Sequence, residues 1–418
     1  MLKKIPVSQL RLGMHLLKLE GAWIHHPFWK TRFVITSLDD LKKVQACGVA
    51  ECWIDADLGL DVAAAPLPAA PKAAAAPQAP TRPAELPLQP PPQPPPPRVS
   101  MEAELKQAAA ICGRGRQAVA AMFNEARMGR TLDVEGCLPL VQEIATSVGR
   151  NPGALVSLAR LKTKDDYSYM HSVAVCALMV SLARQQGLDE DSCREAGLAG
   201  LVHDIGKALM PPEVLNKPAR LTDAEFAIIR THPARGHELL VEGQGLTPQV
   251  LDVVLHHHER MDGTGYPDRL PAERIGHLAR MGAICDVYDA ITSNRPYKAG
   301  WDPAESIAQM ASWKGHFDST LFTAFVRSLG IYPTGSLVRL ESGRLAVVVE
   351  QNTHSLIAPV VKAFYSTKWQ MHIPPERLDL GAPGCSDRIA GREAREEGRF
   401  EHLDELWADP TVLRRTRG

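Results

Sequence analysis

Histidine and aspartate recur through the middle of this 418-residue chain in a pattern that could hold metal. His171 stands alone. His203 and Asp204 are adjacent in LVHDIGK, with Lys207 one turn further on the same face. His232 follows in RTHPARGHE, then His256, His257 and His258 in HHHERMDGTGYP, and Asp286 in AICDVYDA. One buried histidine would more often be a satisfied core residue than a ligand. Five imidazoles and two carboxylates together are costly to desolvate unless a cation compensates. Seven such side chains exceed the needs of one tetrahedral ion. Two metals sharing a bridging aspartate are the natural solution, and metal-assisted hydrolysis is the chemistry they offer. Nitrogen and oxygen donors without thiolate suit Fe, Mn, Ni or Zn rather than a structural zinc.

Helices have to position these groups. From about Met101 to Leu329 the apolar spacing is almost wholly helical, as in SYMHSVAVCALMVSLARQQG and DEDSCREAGLAGLVHDIGKAL. The first reads as a strongly amphipathic helix carrying His171, and Asp189 or Asp191 can cap the second. Facing helices of a bundle build metal sites in this way, each projecting one or two ligands inward. After Gly335, SLVRLESGRLAVVVE alternates around a turn at Ser342–Gly343, which predicts a hairpin. The tail DRIAGREAREEGRFEHLDELW alternates charge sign and predicts an exposed helix.

Residues 1–61 read as a small α+β regulatory module. KIPVSQLRLGMHLLKL and FVIT supply strands, a helix starts at Ser37, and Trp23, Phe28, Trp29 and Phe33 would form its core. Between Val62 and Ser100 lie 14 of the 33 prolines, so this stretch is an extended linker that packs as neither helix nor sheet. The expected organisation continues with a helical connector (101–144), a catalytic region (145–335), a β-rich extension (336–380) and a charged tail (381–418). The fold class is mainly α, a helical bundle with a small α+β N-terminal module and a short C-terminal β-hairpin region. The net charge of −1 argues against a nucleic-acid polymer as partner. Scattered cysteines, no signal peptide and no membrane span predict a cytoplasmic protein.

HDIGK at His203–Lys207, then HHERMDGTGYP and RPYK, closely resemble the HD-GYP phosphodiesterases of the HD hydrolase superfamily, over roughly residues 145–335. The resemblance implies a bacterial enzyme with an HD-type bundle that hydrolyses cyclic di-GMP to linear pGpG or on to GMP. It implies His171, His203, Asp204, His232, His257, His258 and Asp286 as ligands, with Asp204 bridging two divalent ions. Fe or Mn is favoured, with Ni, Zn, Co and Mg compatible. The family's histidine pair directly precedes glutamate, which selects His257 and His258 and leaves His256 solvated or supporting. Some members carry a glutamate four residues before the first histidine, and Tyr167 at that position favours two metals over three. The expected nucleophile is a hydroxide bridging the metals. Asp204 and Lys207 would be catalytic. Lys207, Gly265, Tyr266, Pro267, Arg295 and Lys298 would bind substrate, with Tyr266 offering a hydroxyl or a stacking face to guanine. Glu259 and Asp262 would orient histidines or the loop. An HD-type phosphohydrolase of another nucleotide and a non-enzymatic cyclic di-GMP sensor are the alternatives. A homodimer and a protein partner for the N-terminal module stay open.

Overall fold

A computed structural model describes residues 2–19, 33–35, 41, 51–55, 58, 60, 97–162, 167–217, 219–242, 246–293, 300–352, 354–395, 400 and 402–417. The chain divides into two units, Met1–Pro90 and Pro91–Gly418. In the first, β1 (Leu2–Pro6), β2 (His15–Leu19), β3 (Phe33–Val34) and β4 (Glu51–Asp55) form an antiparallel sheet in the order β1-β4-β2-β3. Ile5, Leu16, Cys52 and Ile54 join Met14 and Ile35 in its core. Of the aromatic residues expected there, Phe33 lies in β3, while Trp23, Phe28, Trp29, the helix start at Ser37 and linker residues 62–96 lie outside the described residues.

The second unit opens on α1 (Met101–Arg127), which Ser100 caps by accepting from the Ala103 amide. Helices α2 (Leu138–Arg150) and α3 (Pro152–Ala159) follow. Buried Glu104 of α1 accepts from Ser147 at 2.7 Å and from two nitrogens of Arg150, which locks α1 to α2. Leu105, Ile111, Phe123, Val141 and Ile144 enter the main apolar core, so the segment expected as a connector shares that core. Helix α4 (Tyr167–Gln185) is buried at every position from Met170 to Ala183. The expectation of amphipathicity fails here, because α4 is enclosed on all sides and has no solvent face to mark.

Helix α5 (Glu190–Val202) starts at Asp189, whose carboxylate accepts from the Ser192 amide at 2.7 Å. A 3-10 turn, Ile205–Leu209, leads to α6 (Pro212–Leu215), α7 (Asp223–Ile229), α8 (His232–Val241) and α9 (Pro248–His256). Then come α10 (His277–Thr292), α11 (Pro303–Ser312) and α12 (Ser319–Leu329). None of the described helices is long and apolar enough to cross a membrane.

The predicted hairpin forms, joining β5 (Leu337–Leu340) to β6 (Arg344–Glu350) with Leu337 opposite Val347. It belongs to a larger antiparallel sheet with β7 (Val360–Ser366), β8 (Met371–Asp379) and β9 (Ile389–Arg392), in the order β8-β7-β6-β5-β9. Strand β9 corrects the reading of the tail as one exposed helix. Its backbone pairs with the open edge of β5, a stronger demand than the charge alternation that suggested helix. Further on, Leu403, Trp407 and the α13 (Pro410–Arg417) residues Val412 and Leu413 are buried in the main core.

One close approach sets the site. Gly206 packs against the start of α8, where a Cβ would strike the His232 carbonyl oxygen and sit 2.6 Å from the Gly236 nitrogen. Glycine therefore lets the turn after Asp204 press His232 toward the carboxylate. Gly206→Ala is expected to cost about 1–3 kcal/mol in denaturant unfolding and to lower bound metal. Unchanged stability and metal content would contradict this role.

Candidate metal centre

Five helix-linked segments bring the seven predicted ligands together. His171 lies in the first turn of α4, His203 ends α5 with Asp204 beside it, His232 opens α8, His257 and His258 end α9, and Asp286 lies inside α10. Their ligand atoms fall into two groups, each with all atoms within 4.8 Å of one another. One is Asp204, His232, His257 and His258. The other is His171, His203, Asp204 and Asp286. Asp204 belongs to both. All but His258 are fully buried.

Hydrogen bonds aim the rings. Nδ1 of His203 donates to the Gly200 carbonyl at 2.8 Å, His232 to Ile229 at 2.8 Å and His257 to Val253 at 3.0 Å. Each bond fixes the tautomer with the Nε2 lone pair facing the centre. His171 is set differently. Its Nδ1 donates to Asp289 at 2.6 Å, while Nε2 lies 2.9 Å from Asp286 and 3.4 Å from Asp204. Asp289 is in turn paired with buried Lys162.

Two atoms show that the set suits a cation. His203 Nε2 and Asp204 Oδ1 are buried at the middle of the cluster and have no hydrogen-bond partner. Such atoms are costly inside a protein unless something ligates them. The protonation pattern follows from the crowding of charge. Burial depresses the His203 imidazole, but Asp204 and Asp286 outweigh it and carry its pKa up to about 10, so a proton must leave Nε2 before that nitrogen can ligate a cation. Burial pushes His232 down to about 4. It opposes ionisation of Asp204 too, yet Lys207 and His203 hold that carboxyl well below the usual range. Lys207 Nζ lies directly on Asp204.

His256 takes no part in either group. It donates to Asp252 at 2.6 Å and Asp268 at 3.0 Å, on the far side of the turn. Glu259 orients the loop and not a ring, accepting from the Asp268 and Leu270 amides at 2.8 and 3.1 Å. Asp262 likewise accepts from Thr264. Gly265 is needed because a Cβ would collide with the backbone of Glu259 and Arg260. Tyr266, with Pro267 after it, stacks on His258 with ring centres 4.6 Å apart, and the Arg230 guanidinium lies 4.6 Å from the same ring. His258 and Arg230 thus both lie against the Tyr266 ring. Arg295 and Lys298 lie outside the described residues.

A cavity of about 580 Å³ opens beside the cluster, lined by His171, Lys207, His258 and Asp286 and also by Phe123 and Arg127 of α1 and Lys217. Sequence reading missed Asp289, Lys162, Arg230, Phe123 and Arg127. Only Asp289 left a trace, three residues after Asp286 in CDVYDA and so on the same helix face.

Asp289→Asn is expected to weaken metal binding about 10- to 100-fold. It should also destabilise the fold by about 3–5 kcal/mol, since buried Lys162 loses its ion pair with Asp289. Asp289→Asn combined with Lys162→Met should recover thermal stability but not metal affinity. Recovery of both would assign Asp289 a purely structural part.

Known proteins share this organisation. The family described as HD domain matches residues 151–321, and a domain of unknown function, DUF3391, matches residues 2–137. The chain is 53% identical over 408 residues to the cyclic di-GMP phosphodiesterase PA4108 of Pseudomonas aeruginosa, covering 97% of this chain and 96% of that protein. It is 41% identical over 148 residues to the cyclic di-GMP phosphodiesterase response regulator RpfG of Xanthomonas campestris, covering 35% and 39% of the two chains. It is also 36% identical over 169 residues to 3'3'-cGAMP-specific phosphodiesterase 1 of Vibrio cholerae, covering 40% and 38%. With its HD turn, its paired histidines and its GYP loop, the chain belongs to the HD-GYP family of HD-domain phosphodiesterases.

Proposed function

We propose that this protein hydrolyses cyclic di-GMP to linear pGpG at two divalent cations held by His171, His203, Asp204, His232, His257, His258 and Asp286. The observation that carries the reading is the pair of ligand groups sharing Asp204. A bound divalent pair supplies activation of water and neutralisation of phosphate charge. The chain's own residues do the rest. Asp204 offers one carboxylate to both groups. Asp289 and the backbone carbonyls of Gly200, Ile229 and Val253 hold the imidazoles in the ligating tautomer. Lys207, at the cavity wall, places a cation where a phosphate would lie, and Arg127 adds positive charge to the same cavity. Tyr266 steadies His258, and the family resemblance assigns Arg295 and Lys298 to substrate binding. Oxygen and nitrogen donors favour Fe or Mn. The reaction is assigned to the cytoplasm.

A second reading, hydrolysis of another 3'3'-linked cyclic dinucleotide, is favoured by the likeness to the 3'3'-cGAMP-specific enzyme. Protein purified anaerobically, assayed for metal and supplied with each dinucleotide plus Mn²⁺ or Fe²⁺, should convert cyclic di-GMP to pGpG. Asp204→Ala should reduce kcat at least 1,000-fold and leave less than one metal per chain. Faster turnover of 3'3'-cGAMP would establish the second reading. Full activity in Asp204→Ala would overturn both.

A further inference from the structure

A second cavity, of about 880 Å³, shares no lining residue with the one at the metal centre. It opens where the chain leaves the proline-rich segment, at Arg98–Met101. The α2–α3 junction, the end of α4, the C-terminal half of α10 and the end of β6 form its other walls. This junction is built rather than loose. Asn151 donates to the Val99 carbonyl at 3.1 Å, and the Met101 amide donates to Glu350 at 3.1 Å.

Five arginines line the cavity against three acids, leaving two positive charges in excess. Each acid is already engaged. Asp289 holds His171 and Lys162, Glu190 holds Arg184, and Glu350 holds the Met101 amide and Arg377. Arg150 is satisfied by Glu104. Arg160 is not satisfied. It is only 7% exposed, and its guanidinium has no hydrogen bond or ion pair among the described residues. Asp302, the acid that shares the surroundings of Tyr288 with Arg160, is taken by the Leu337 amide and Arg395. Arg184 adds a buried Nε with no partner. A buried guanidinium without a counter-charge is unfavourable and calls for an anion. Its planar fork matches phosphate oxygens. The volume falls within the usual range for small-molecule sites. Leu178, Leu188 and Leu329 add apolar wall for the body of a ligand beyond its phosphate.

We propose that this cavity binds a small phosphate-bearing anion through Arg160 and Arg184, at a site separate from the metal centre. The inference does not rest on the hydrolytic reading, because Asp289, which holds His171, lines the wall but none of the seven candidate ligands does. The full chain is titrated calorimetrically with GMP and, separately, with inorganic phosphate. The expected result is a binding event that persists in Lys207→Ala, a change in the other cavity, and is weakened at least tenfold in Arg160→Gln. Gln185→Glu sets a negative charge on an exposed lining position and should weaken the event similarly, even if Arg160→Gln fails to fold. With either probe, this pattern supports the site. Binding that disappears in Lys207→Ala, binding that survives both cavity substitutions, or no binding of either probe would overturn it.

Discussion

Asp204 has 2% of its surface exposed and keeps its negative charge. A buried carboxylate of this kind is tolerable only when opposite charge or ligation surrounds it. The arrangement around the site is the answer to that constraint. Lys207 lies against one oxygen and the His232 ring approaches the other at 3.1 Å. His171 and His203 both stand 3.4 Å away. His171 and His203 are the rings that hold a proton more tightly, so α4 and α5 are bound to this carboxylate electrostatically as well as by their apolar cores.

Helix ends do much of the aiming. His203 and His257 occupy C-terminal cap positions, and His232 opens α8 just after α7 ends at Ile229, so each ring lies beside the closing carbonyls of a helix. Those carbonyls take the Nδ1 protons. The usual deficit of a helix terminus is thereby converted into ring orientation, with no extra side chain required. His171, on an enclosed helix whose carbonyls are committed to the helix itself, depends instead on the side chain of Asp289, and His258 on its stacking with Tyr266.

The ligands were legible in the sequence because imidazole and carboxylate announce their chemistry by type. The supporting groups were not. Lys162 and Arg230 look like any solvent-facing cation until the fold buries one against Asp289 and lays the other near Tyr266. The neighbours of Tyr266 were hidden for a related reason, since a sequence shows that a ring is available but not that His258 and Arg230 will lie near it. Helical periodicity located α4 but gave the wrong environment, because an enclosed helix has no polar stripe. In the tail, charge alternation hid β9, whose pairing depends on an edge strand some fifty residues earlier.

Phe123 and Arg127 have a consequence for how this architecture is inherited. They stand on α1, within the stretch matched by the domain of unknown function, yet they form a wall of the cavity at the metal centre. The boundary between the two matched families therefore runs through a single packed core. The packed unit that encloses the metal centre is larger than the part that carries its motifs. A shuffling event that left α1 behind would deliver every ligand and an open-sided pocket.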